Sequence, residues 1–334
     1  MKKKRLEKSI IYMYQKMCIF AAAIPKLMEK KFSTPILLLI FNRPDAVKSM
    51  IEHLRPIQPT KIYVGADGPR PNKPNDQEKC NQSQLALKKI DWSCDIITHF
   101  REDNLGCRNA VNDAIDWFFS KEEEGIILED DCLPDASFFE YASILLDKYK
   151  DNNQVMHIAG DNPIERITKS YTNSYIFTQM PLVWGWATWR EAWAKMNLSL
   201  DGLEQADFSK LPLDTLSQKY IKEKFGATKK RENDSWAYAW YFSILQNNGI
   251  CIIPKVNLVK NIGFGAESTH TKSANKTREL DSHALSFPLQ HPTSLKINPN
   301  IEQQLFYSAQ KSKIGLYGRF WVPKFIRRLL GAQK

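Results

Sequence analysis

The run Gly125-Ile-Ile-Leu-Glu-Asp-Asp-Cys-Leu-Pro-Asp135 decides the fold. Its short, unbroken apolar stretch reads as a strand buried on both faces, as in a parallel sheet covered by helices. The strand then breaks off into three consecutive acids, Glu129, Asp130 and Asp131. Toward the N-terminus the same event occurs twice more. The apolar run 36–41 ends at Asn42-Arg43-Pro44-Asp45 and gives way to a helical pattern through Met50, Ile51 and Leu54, with Pro44 at its first turn. Residues 62–66 end at Asp67-Gly68-Pro69. A Pro-rich loop to about residue 77, a helix to about 89, a strand near 95–99 and a helix over 105–119 complete the series. Alternating strands and helices predict an α/β fold with a mostly parallel sheet flanked by helices. Ligands gather at the carboxyl ends of such strands. Arg43, Asp67 and the acidic triplet stand at three of these ends, so one shared cleft is expected.

Toward the C-terminus the pattern is less regular. Strands are expected at 155–159 and 175–177, an aromatic segment at 184–189, and helices from about Asp214 and Asn233. Of Trp184, Trp186 and Trp189, core is the reading for two.

The chain has 334 residues, 43% hydrophobic and 25% charged, which allows one large core and argues against disorder. The net charge of +10 sits at the ends: residues 1–31 hold nine Lys or Arg against two Glu, and residues 311–334 hold seven against no acid. Each end therefore carries +7, which leaves residues 32–310 at −4. A mildly acidic body between basic ends argues against nucleic acid as a partner and for an anionic membrane surface. Residues 316–330 set Phe320, Trp321, Phe325 and Ile326 among Arg319, Lys324, Arg327 and Arg328, as an interfacial helix does; a helix packed on the body with a solvated basic face has the same pattern. The clean apolar run 17–25 is too short to span a bilayer. Six cysteines without a C-x-x-C pair read as free thiols.

Three carboxylates in a row at the end of an apolar strand call for a cation, because unpaired charge there is costly. Successive side chains point in different directions, so one can bind a hard metal while another takes a sugar or ribose hydroxyl. The metal would neutralise a diphosphate leaving group. An acidic turn capping a helix near Pro134 has the same sequence signature. No G-x-G-x-x-G after a strand, Walker loop, H-E-x-x-H or G-x-S-x-G occurs, and the six histidines, among them His157 and His270, are too dispersed for a zinc site.

Residues 126–141, with Glu-Asp-Asp followed by Pro134-Asp-Ala-Ser-Phe-Phe-Glu-Tyr141, resemble the metal-binding segment of the N-acetylglucosaminyltransferase I family. Those are inverting enzymes of the GT-A fold that use UDP-sugars and manganese. Further landmarks occur in the same order: Phe41-Asn-Arg-Pro, Asp67, Gly160-Asp-Asn162, Val183-Trp-Gly-Trp186, Asn233-Asp-Ser-Trp236, then residues 250–255 and 261–271. Together they cover roughly residues 34–275, and ordered landmarks are more specific than any one motif.

The resemblance implies a GT-A fold with a Rossmann-like sheet. A nucleotide-sugar half would occupy 33–155 and an acceptor half 156–300, between a basic leader at 1–32 and a membrane-contact segment at 301–334. It implies Asp131 as the main ligand of Mn2+ (or Mg2+), Glu129 at the donor sugar and Asp130 beside the ribose. Arg43, Asp67 and Arg108 would contact the nucleotide. Asp234 falls where the family keeps its catalytic base, which inversion requires on the face opposite the leaving diphosphate. The 261–271 loop corresponds to a segment that orders over bound donor, from which His270 would reach the diphosphate; a plain surface loop is the other reading. Ser235 stands where the family has a second acid.

The implied function is inverting transfer of a sugar, such as N-acetylglucosamine, from a UDP-sugar to a glycan or lipid-linked acceptor in cell-surface polysaccharide synthesis. The family's animal members have a membrane anchor not seen in this sequence, which sets the expectation at the cytoplasmic inner face of a bacterial-type cell membrane. Two other classes compete. A sugar-nucleotide nucleotidyltransferase attacks the α-phosphate and wants a Gly-rich basic loop where this chain has Asn42-Arg-Pro-Asp45. A non-enzymatic carbohydrate-binding or scaffold protein has no use for Asp234.

Overall fold

The computed structural model describes residues 32–263 and 280–321. His270, most of the 261–271 loop, the leader 1–31 and residues 322–334 lie outside the described residues. Contacts divide the chain into Met1–Phe32 and Ser33–Lys334, and the second unit holds all the described elements.

In chain order these are β1 (Ile36–Ile40), α1 (Pro44–Leu54), β2 (Lys61–Ala66), α2 (Asp76–Ala86), β3 (Asp95–Phe100), α3 (Cys107–Phe119), β4 (Glu124–Glu129), β5 (Cys132–Pro134), α4 (Ala136–Tyr149), β6 (Val155–Ala159), α5 (Glu165–Thr168), β7 (Tyr175–Thr178), β8 (Trp186–Trp189), α6 (Arg190–Trp193), α7 (Thr215–Lys229), α8 (Trp236–Gln246), β9 (Ile250–Pro254), β10 (Val259–Asn261) and α9 (Pro299–Trp321). Eight strands form one sheet in the order β3-β2-β1-β4-β8-β6-β9-β7, and β5 pairs with β10 beside it. β1 pairs in parallel with β2 and β4, β2 with β3, and β6 with β9. Only β8 and β7 run against the rest. This is the α/β arrangement with a mostly parallel sheet expected from the sequence.

The reasons lie in the side chains. β1 and β6 are buried at every residue; β1 is accordingly a continuous apolar run, and β6 is apolar but for His157. α1 buries Val47, Met50, Ile51 and Leu54, one helical stripe, and starts with Pro44 where a missing N–H costs nothing. The helix expected near Pro134 starts instead at Ala136, because residues 132–134 pair with β10 and Asp135 caps the helix by accepting the Ser137 amide at 2.8 Å.

The aromatic segment proves to be a central strand. Trp186 is fully buried, its ring stacked on His157 at 4.9 Å and on Trp236 at 5.7 Å. His157 is a core histidine: its Nδ1 accepts the Trp240 indole N–H at 3.2 Å, so its Nε2 donates to the Leu182 carbonyl at 2.8 Å, and burial holds its pKa down at about 4. Trp189 is buried too, whereas Trp184 is only half-buried, so the core reading holds for two of the three.

α9 is fastened by Glu302, buried at the end of β7, where its carboxyl group accepts from the Thr178 hydroxyl at 2.5 Å and the Gln179 amide at 3.1 Å. Burial raises its pKa from 4.5 to about 7. Between those values the folded chain holds a proton that the unfolded chain has released, so stability is greatest at the acid side and falls as pH rises from 4.5 through 7. In urea unfolding across this range Glu302→Gln should lose roughly 3 kcal/mol less than the parent; an equal loss in both would assign the dependence elsewhere. Residues 316–321 of the expected interfacial segment continue α9. Among the described residues no helix is long and apolar enough to cross a membrane.

Candidate active site

The parallel register brings the carboxyl ends of β1, β2 and β4 to one edge. Arg43, at the start of α1, reaches across the end of β4. Its Nη2 lies 2.8 Å from Asp130 Oδ1, an ion pair without hydrogen-bond alignment, and its Nη1 donates to Asp131 Oδ2 at 2.8 Å. The Phe41 amide also donates to Asp130, at 3.2 Å. Asp131 is held from the other side by β10: the Asn261 side-chain amide donates to its Oδ1 at 3.2 Å, and the Ile262 amide to its carbonyl at 2.9 Å. Three acids thus face one guanidinium. Burial, together with the charge of Asp131, pushes Glu129 up to about 8 and Asp130 up to about 7 against the opposing pull of Arg43.

Asp67, past the end of β2, is used as a loop organiser. Its Oδ1 accepts the amides of Gly68 at 3.0 Å and Leu105 at 2.9 Å, and its Oδ2 accepts from the Asn104 side chain at 2.9 Å and the Gly106 amide at 3.1 Å. Burial raises its pKa and those amides oppose the rise. The loop so shaped leads into α3 through Gly106, at φ +76°, where a Cβ would come within 3.1 Å of Asp234 Oδ2. Asp234 arrives from the exposed turn between α7 and α8, and its Oδ1 accepts the Arg108 amide at 3.3 Å. Ser235, in the place of the family's second acid, caps α8 by accepting the Tyr238 amide at 3.4 Å.

Arg43, Asp67, Glu129, Asp130 and Asp234 all line one cleft of about 310 Å³, floored by Ala66, Ala110, Val111 and Ala114. Asp131 faces an adjoining hollow bordered by Asn42, Gln82 and Gly263, with Arg43 lining both. Arg108 is a correction. Its guanidinium is buried and donates to the carbonyls of Thr228, at 2.8 Å, and Leu198, away from the cleft. Cys107, Ala110, Val111 and Ala114 form the cleft face of α3, and a helix turns about 100° per residue, which carries Arg108 round to the body. His270 lies outside the described residues.

The cleft also contains Arg70, His99, Arg101 and Asn104, which the sequence reading passed over. Arg70 pairs with Asp76 (Nη2 to Oδ1, 3.0 Å) and lies 5.4 Å from the Phe41 ring centroid. His99 stacks on Trp117 at 5.0 Å and, with Arg101, contacts Asp113. A signal was present: β3 too ends in polar residues, His99-Phe-Arg101. Among the described residues no three His, Cys, Asp or Glu side chains gather as a metal-holding group. The three acids at the end of β4 outnumber the one guanidinium that faces them, and as hard oxygen donors they suit a divalent cation, whose charge would favour their ionised forms.

No protein-family model and no curated protein matches the chain. Among solved structures it is similar to the mannosyltransferase PcManGT from Pyrobaculum calidifontis in complex with GDP-Man and Mn2+, at 12% identity and a TM-score of 0.33, over 49% of this chain and 46% of that one. The chain thus spans less than half of that protein. It is also similar to UDP-glucose pyrophosphorylase, at 8% identity and a TM-score of 0.35 for the apo form and at 9% and 0.34 for the UDP-glucose complex, each over 66% of this chain and 90% of the other. Likeness of this degree leaves the chemistry to be argued from the site itself, and the resemblance to the N-acetylglucosaminyltransferase I family remains one of sequence landmarks.

Proposed function

We propose that the protein is a metal-dependent, inverting glycosyltransferase of the GT-A type that uses a nucleoside diphosphate sugar. One observation carries the reading: Asp234, remote in sequence from the acidic strand end, lines the same cleft as Glu129 and Asp130. A carboxylate in the cleft beside an anionic, cation-seeking edge suits inversion, and a scaffold has no task for it.

In this reading the nucleoside lies toward Asp67, Asn104, His99 and Arg101, and the phosphates toward Arg43 and Asp131. Manganese or magnesium bound at Asp131 supplies Lewis-acid neutralisation of the leaving diphosphate. Arg43 fixes the acids and adds its own charge beside the phosphates. Glu129 faces the donor sugar and Asp130 holds Arg43 in place. Asp234 takes the proton of the acceptor hydroxyl as its oxygen attacks the anomeric carbon and the diphosphate leaves. The sequence landmarks favour UDP as nucleotide, N-acetylglucosamine as sugar, and a glycan or lipid-linked acceptor.

The test is a calorimetric titration with nucleoside diphosphates and their sugars, with and without manganese. One nucleotide family should bind in a metal-dependent manner, and Asp131→Ala should lose that binding by tenfold or more while melting as the parent does. Identical binding by the variant would remove Asp131 as ligand, and no binding of any nucleotide would overturn the function.

A further inference from the structure

A second hollow lies between the end of β6, the chain entering β8, and the faces of α8 and α9. Its volume is about 210 Å³. That is below the ~300–1,000 Å³ of pockets for drug-sized ligands and suits a single ring. Its walls include Met180, Leu182, Trp184 and Tyr238, and Asp161, only 5% exposed, belongs to its lining. A carboxylate accepts several hydrogen bonds at once, and aromatic walls suit a ligand with an apolar face. A pyranose offers both, hydroxyls around its edge and C–H groups on its faces.

The shape is built in by Gly185. It sits at φ +68°, where a Cβ would come 2.8 Å from Val259 Cγ2, so a side chain there is excluded. This left-handed residue breaks the strand alternation: Trp186 enters the core while Trp184 stays at the groove. The Gly185 carbonyl accepts the Gly160 amide at 2.7 Å, which holds Asp161 beside Trp184.

The groove and the nucleotide cleft flank the start of α8. Asp234 lines the cleft, and Ala237 and Tyr238, within about one helical turn of it, line the groove. Displacement at an anomeric carbon needs this order, with the leaving diphosphate on one side of the base and the nucleophile's sugar on the other. We infer that the groove holds the acceptor sugar ring, with Asp161 accepting from its hydroxyls and Trp184 and Tyr238 covering its faces. The inference deepens, and rests on, the transferase reading above.

The test titrates the full chain, with UDP and manganese present, against methyl glycosides of glucose, galactose, mannose and N-acetylglucosamine, followed by saturation-transfer NMR. At least one glycoside should bind. Asp161→Asn should weaken it about tenfold, and Trp184→Ala should abolish it in the millimolar range, with UDP affinity unchanged in both. Ala237→Trp, which fills the groove without removing a buried group, should block the glycoside as well and covers the case in which Asp161→Asn misfolds. Undiminished binding in these variants overturns the inference, and so does a parent chain that binds UDP but no glycoside. A parent chain that binds no nucleotide yet loses a glycoside through the same variants would overturn the donor site alone and keep the groove as a sugar site.

Discussion

Asp234→Asn is expected to lower turnover by about 10²–10⁴-fold, the usual contribution of a positioned general base, while donor binding stays intact. The substitution is nearly isosteric, and its amide oxygen can still accept the Arg108 amide that Asp234 Oδ1 accepts at 3.3 Å. The turn at Gly106 and the start of α3 therefore persist, and what is lost is the capacity to take a proton. The measurement pairs the rate of nucleoside diphosphate release in the presence of acceptor with a calorimetric donor affinity. Turnover equal to that of the parent would remove Asp234 from the chemistry and return the cleft to a binding role.

The second large effect is on folding. Arg43 pairs with Asp130, 2% exposed, and with Asp131, and it is itself 24% exposed. Removing one partner of a buried pair leaves the other charge uncompensated, typically at a cost of ~3–5 kcal/mol. With the guanidinium partly in water, Arg43→Met should destabilise the chain by about 3 kcal/mol, read as a lower urea midpoint at constant slope. Millimolar manganese should restore part of that loss, because the divalent ion supplies the positive charge that Glu129, Asp130 and Asp131 then lack. An unchanged midpoint would mean that water, not Arg43, stabilises the acids.

The strands β1, β2 and β4 were legible because each is an apolar run ending on polar residues and is buried on both faces, whereas β3, an edge strand with exposed residues, was legible only from its place in the alternating series. The acids, Arg43 and Asp234 were legible as types at expected places. Direction was not. Arg108 sits on α3 one residue past Cys107, yet it serves carbonyls of residues 228 and 198, contacts that only the packed chain brings near. Asp67 lines the cleft, but that its oxygens also accept from four donors of the loops around it was not legible. β8 was hidden because four residues rich in tryptophan give too short a pattern to separate strand from aromatic cluster, and its place between β4 and β6 depends on partners far away in sequence.

That place has a consequence for synthesis on the ribosome. The strands β3, β2, β1 and β4 can pair as soon as residue 129 has emerged. β6 cannot join them, since its neighbours in the sheet are β8 and β9, both made later. At ~5–20 residues per second, the 30 residues between Ala159 and Trp189 take roughly 2–6 s. For that interval a strand apolar but for His157 waits without a mate, and the nascent chain offers chaperones a binding segment whose timing is set by the insertion of a single antiparallel strand.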